Sequence, residues 1–209
     1  MRTLFKRLFV AVNPPDYVRD ALGELKQEAR GIQWIPPERH HLTLKFIGEI
    51  DPDAEERICR AFDKIDSGSF ILPLGRVGVF PESGPPQVIW AGVGGGHPRL
   101  YKLQHTVQDT LFNLGYDPGK RAFQPHITLA RCHGASGEWV RQWLKKHRDF
   151  EGPAFRVDHF GLWRSRTGMS DVPYLQEAAW SLKSDVPALF RPAVHHVKSD
   201  ENHSQAVGE

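Results

Sequence analysis

The chain has 209 residues, 40% hydrophobic and 25% charged, as in an ordinary globular protein. Its 27 Lys and Arg against 25 Asp and Glu leave a net charge of +2, too mild to argue nucleic-acid binding by itself. The two cysteines, Cys59 and Cys132, form no Cys-x-x-Cys pair, and no apolar run approaches the ~20 residues a membrane span needs. The composition therefore supports neither a zinc ribbon nor a thioredoxin-type centre. The first ten residues hold Arg2, Lys6 and Arg7 without a leader-like apolar segment, and the chain reads as cytoplasmic.

In chain order, the apolar run 8–12 reads as a buried strand stopped by Asn13-Pro14-Pro15. Asp16 is placed to cap a helix over 17–30, whose Val18, Leu22, Leu25 and Ala29 keep helical spacing and which Gly31 ends. Trp34-Ile35-Pro36-Pro37 is a connector, and 41–47 alternates as a strand. A helix capped by Asp51 fits 52–65, and strands fit 70–74 and 76–80, broken near Gly75. After the turn-rich stretch 81–86 the order starts again. A strand covers 88–93, Gly94-Gly95-Gly96 makes a loop, a helix covers 98–114, and a strand covers 126–131. A helix over 138–147 and strands over 155–163 and 174–182 complete the pattern.

Strand, helix, connector and second strand thus occur twice at similar length, which predicts a duplicated lobe rather than a solenoid. Residues 1–185 are expected to form one bilobal domain. Residues 186–209 lack periodicity and are expected to be a disordered tail; it includes His195 and His196.

The second strand of each copy carries the same motif, His41-Leu42-Thr43-Leu44 and His126-Ile127-Thr128-Leu129. Strand side chains alternate between faces, so His41 and Thr43 share one face while Leu42 and Leu44 pack on the other; His126 and Thr128 do the same against Ile127 and Leu129. That is the pattern of a strand lining a cleft. Histidine, with an ordinary pKa of about 6.5, serves as acid or base near neutral pH. Two histidines across a phosphate take a proton from the nucleophile and deliver one to the leaving oxygen. Threonine hydroxyls donate hydrogen bonds to phosphate oxygens without adding charge. The scheme calls for no metal and no cofactor, and two imidazoles without a further ligand at suitable spacing make a poor metal site.

With their flanks, Trp34-Ile35-Pro36-Pro37-Glu38 and Lys45-Phe46-Ile47-Gly48-Glu49 around the first and Phe123-Gln124-Pro125 and Ala130-Arg131 around the second, the paired motifs resemble the 2H phosphoesterases. Within them the chain is similar to the RNA 2′,3′-cyclic phosphodiesterase branch, first named for 2′-5′ RNA ligase activity. The resemblance implies an α+β fold, two pseudo-symmetric lobes with antiparallel sheets flanked by helices about a central cleft. It implies hydrolysis of RNA 2′,3′-cyclic phosphate ends, or of cyclic nucleotides, to 2′-phosphates, with His41 as proton donor and His126 as proton acceptor. Arg131 matches the arginine following the second motif and is expected to contact phosphate. Strict alternation would put it opposite His126, a tension that a strand end or a bulge near Ala130 would resolve. The same site would serve 2′-5′ ligation, and a non-catalytic nucleotide-binding module on this fold is the alternative of a different class. No membrane or obligate protein partner is implied, and a monomer is expected.

Other residues have plainer readings. His40 lacks the motif spacing and is expected at the surface. Phe46 shares parity with Leu42 and Leu44 and is expected in the core rather than against a base. Lys45 shares parity with His41 and would face phosphate or solvent.

Overall fold

A computed structural model describes residues 5–93, 96–119, 121–165 and 174–184. The expected tail from 186 onward, with His195 and His196, and the first two glycines of Gly94-Gly95-Gly96 lie outside the described residues.

Among the described residues, nine strands and four α-helices form an α+β fold. In chain order they are β1 Lys6–Val12, α1 Asp16–Gly23, β2 Ile32–Trp34, β3 Leu42–Ile50, α2 Pro52–Phe62, β4 Phe70–Phe80, β5 Val88–Val93, α3 Pro98–Asn113, β6 His126–Cys132, α4 Gly137–Lys146, β7 Glu151–Val157, β8 His159–Ser165 and β9 Tyr174–Ser181. The sheet runs β7-β4-β5-β6-β3-β1-β8-β9, and β2 adds to β6. Every named pairing is antiparallel. The two four-strand halves, β7-β4-β5-β6 and β3-β1-β8-β9, join through one rung, Leu42 opposite Ile127.

One apolar cluster underlies both halves. It contains Leu8, Val10 and Val12 of β1, Leu42 and Leu44 of β3, Ile127 and Leu129 of β6, and the inward faces of all four helices. In β1 the alternation separates these from Phe9, which is buried yet belongs to the opposite face. That opposite face carries the cleft. No described helix is long and apolar enough to cross a membrane.

Four expected elements differ most. The first helix stops at Gly23 instead of 30 because side chains claim the carbonyls beyond it. The Trp143 indole donates to Leu25 O at 3.1 Å, and the Trp34 indole to Gln27 O at 2.8 Å. Its N-cap is Pro15, with Asp16 inside the first turn and paired with Arg19. Asp51 does cap α2, accepting from Ala54 N at 2.7 Å. The strands expected over 70–74 and 76–80 are one strand carrying a bulge at Arg76. The strand expected over 155–163 is two, split at Asp158, with β7 on β4 in one half and β8 on β1 in the other.

Candidate active site

The Leu42–Ile127 rung fixes the site, because each residue immediately follows a motif histidine. Two antiparallel strands paired there bring His41-x-Thr43 and His126-x-Thr128 together about a local two-fold. All four side chains line one cavity of about 540 Å³, with Arg7, Arg39, Arg131, Phe9, Phe46 and Tyr174 among its other walls. Leu42 and Ile127 are fully buried beneath it.

Both imidazoles are anchored alike. His41 Nδ1 lies 2.8 Å from Arg39 O, and His126 Nδ1 lies 2.7 Å from Gln124 O. A carbonyl only accepts, so Nδ1 carries the proton in each ring and Nε2 is left for chemistry. Aromatic rings flank each histidine. Phe9 and Tyr174 stand 5.0 and 5.1 Å from His41, and Phe80 and Trp90 stand 5.0 and 6.3 Å from His126. Burial holds both pKa values below the ordinary histidine value. In His41 the carbonyl of Arg39 opposes that fall, and the nearby His126 adds to it.

Register shifts decide which neighbours join the site. In the β5–β6 ladder Ile89 pairs with Ala130 and Trp90 with Thr128, skipping Leu129. Of the two expected resolutions, a strand end or a bulge, it is the bulge that occurs; it returns Arg131 to the face of His126 and Thr128, where it lines the cavity. In the β1–β3 ladder Ala11 pairs with Thr43 and Val10 with Lys45, skipping Leu44. The effect reverses two expectations. Phe46 is not core: it is 71% exposed at the cavity wall, 6.0 Å from Phe9. Lys45 turns to the helix side, where its Nζ donates to Asp117 O at 2.9 Å and Pro118 O at 2.6 Å.

His40 is likewise not at the surface. It is 2% exposed, beside a cavity of about 210 Å³ walled by Leu22, Trp34 and Pro37. The turn at Pro37–Arg39 directs consecutive histidines to opposite sides, His41 to the cleft and His40 inward. Sequence reasoning missed Tyr174, Phe9 and Arg39. Arg39 is the recoverable one, since its carbonyl precedes the motif histidine by the same interval as that of Gln124. Among the described residues no three His, Cys, Asp or Glu side chains gather as a metal site would require.

This arrangement has relatives. Residues 12–90 and 94–174 match the LigT-like phosphoesterase family, the two segments each containing one motif. A protein of Aeropyrum pernix named RNA 2′,3′-cyclic phosphodiesterase is 38% identical over 48% of this chain, and the match spans 57% of that relative. One of the same name from Archaeoglobus fulgidus is 33% identical over 76% of this chain and 90% of its own length. A crystal structure of a Thermus thermophilus protein superposes with a TM-score of 0.72 at 26% identity, covering 86% of this chain and all of that one. Two motif strands paired about one rung, in a chain that matches along most of its length, make this protein a member of the LigT-like phosphoesterase family.

Proposed function

We propose that the protein hydrolyses 2′,3′-cyclic phosphate ends of RNA to 2′-phosphates, with its two motif histidines as the acid–base pair. The carrying observation is that both rings are pinned through Nδ1 and present Nε2 to one arginine-lined cavity. The naming of the Aeropyrum and Archaeoglobus relatives supports the same chemistry.

His126 Nε2 takes a proton from water as the oxygen attacks phosphorus. The P–O3′ bond breaks in line, and His41 delivers a proton to O3′, leaving the 2′-phosphate. Thr43 and Thr128 donate to the non-bridging oxygens, and Arg131 offsets their charge. Three arginines line the cavity with no carboxylate among its described walls, which suits an anion. Phe46 offers its exposed ring to the terminal base.

The test is product analysis on an RNA ending in 2′,3′-cyclic phosphate, with EDTA present. Wild type should release a 2′-phosphate end, and His41→Ala and His126→Ala should each lose roughly 10²- to 10⁴-fold in rate. An intact ring after incubation with wild type would overturn the proposal.

A further inference from the structure

The strand rung beside Phe46 is polar. In the β1–β3 ladder Phe9 pairs with Phe46 and Arg7 with Glu49; Leu8 stands opposite Gly48 between them, and Ile47 is skipped. On the other side of β1 the partner of Arg7 is Ser165. Two residues of strand separate the rungs by about 7 Å. A base laid on the exposed ring of Phe46 therefore brings one edge toward Arg7 and Glu49. The ground between is bare: Gly48 has φ of +101°, and a Cβ there would meet no atom within 4 Å. Arg7, Gly48 and Ser165 all line the cleft.

Arg7 differs from Arg131 in carrying its own counter-charge. Its Nη2 donates to Glu49 Oε1 at 3.3 Å. Together the two side chains have no net charge to offer a phosphate. Nor do they fasten the fold, since they are 57% and 63% exposed and an ion pair that open to solvent contributes little to folding. What they present is a set of donors beside a set of acceptors, at the edge of a site suited to a base. The four bases match that edge differently. Guanine offers O6 as an acceptor, then N1–H and the N2 amino group as donors. A guanidinium donates to O6, and the two oxygens of a carboxylate accept from N1–H and N2. Adenine and cytosine reverse the order, setting an amino donor against the guanidinium and a ring-nitrogen acceptor against the carboxylate. Uracil keeps the first two groups but puts O2, an acceptor, where guanine has its amino donor.

We propose that Arg7 and Glu49 read the terminal base and select guanosine, so that the preferred substrate is RNA ending in guanosine 2′,3′-cyclic phosphate. This rests on the hydrolytic reading and on Phe46 as the surface that holds the base. Phe46 takes any base by its face, and the neighbouring rung distinguishes bases by their edge. The N2 amino group, through one charge-assisted hydrogen bond at an open rim, is worth about tenfold in kcat/KM.

The experiment measures kcat/KM on short RNAs that differ only in the last nucleotide, which is guanosine, inosine, adenosine, cytidine or uridine, each carrying a 2′,3′-cyclic phosphate. Inosine is guanosine without the N2 amino group, so the comparison removes one donor and keeps the rest of the edge. Wild type should open the guanosine end about tenfold faster than the inosine end, and the inosine end faster than the adenosine or cytidine end. Glu49→Gln replaces one acceptor oxygen with an amino group and should bring the ratio of guanosine to inosine close to one. Arg7→Met should lower the guanosine and inosine ends together relative to adenosine. Equal kcat/KM on the guanosine and inosine ends of wild type, or a guanosine preference that survives Glu49→Gln, overturns base reading by this rung and leaves the hydrolytic reading intact. Unopened rings on all of these RNAs overturn both.

Discussion

Phe46 and Arg131 occupy equivalent places in the two halves: each stands five residues after its motif histidine, and each is turned to the cleft by a register shift that skips the leucine after the motif threonine. The local two-fold therefore brings an aromatic ring and a guanidinium to opposite sides of one site, although simple alternation would bury both. In the proposed function the pair would supply the asymmetry a nucleotide needs, a face for the base and a cation for the phosphate.

Removing either member should damage binding by different amounts and leave the fold intact. Arg131→Ala removes a charged hydrogen-bond donor, worth about 1.5–3 kcal/mol, and should lower kcat/KM roughly 10- to 100-fold. Phe46→Ala should raise KM by a stacking contribution of about 1–3 kcal/mol. Because Phe46 is 71% exposed, its loss should move Tm by no more than a degree or two. Steady-state kinetics beside thermal melts check both, and a large drop in Tm for Phe46→Ala would return that ring to the core.

The pH profile of kcat/KM should be a bell displaced to the acid side. The base must be neutral and the acid protonated, and burial lowers both pKa values in the free enzyme. A lower pKa on His126 keeps the base competent to lower pH, and a lower pKa on His41 withdraws the acid earlier as pH rises. The maximum should therefore fall below the ordinary histidine value of about 6.5. A maximum above pH 7, or a flat profile from about pH 5 to 8, would contradict the paired roles.

His40 should make the fold acid-sensitive independently of catalysis. Burial pushes its pKa down to about 4, only partly opposed by the Ile35 backbone. The unfolded chain takes up this proton near pH 6.5, the folded chain not until about 4. Stability is therefore complete above about 6.5 and declines as pH falls through that window, by on the order of 3 kcal/mol. His40→Leu removes this term, so its Tm should fall several degrees less than that of wild type between about pH 7 and pH 4.5. An equal fall in both proteins would show that His40 is not the group responsible. His41 and His126 act in the same direction and account for any remainder.

The proposed acid–base pair and its threonines were legible in the chain alone. His41, Thr43, His126 and Thr128 stand out because a repeated motif and period-two alternation are local properties of a strand. Local pattern likewise predicted most of the elements, and the family resemblance of the paired motifs implied the α+β fold. What alternation could not supply was any residue beyond a bulge, since a bulge is set by the neighbouring strand. For that reason Phe46, expected in the core, faces the cleft, and Lys45 reaches the loop after α3. Arg131 could be assigned only by allowing a strand end or a bulge near Ala130, and the pairing of β6 with β5 decided for the bulge. The end of α1 was set by indoles from Trp34 and Trp143, and the burial of His40 by the turn before it, neither written in local periodicity. Tyr174 came from a strand distant in sequence, placed by pairing across the sheet. Local pattern states which face a strand offers; only tertiary register states what that face meets.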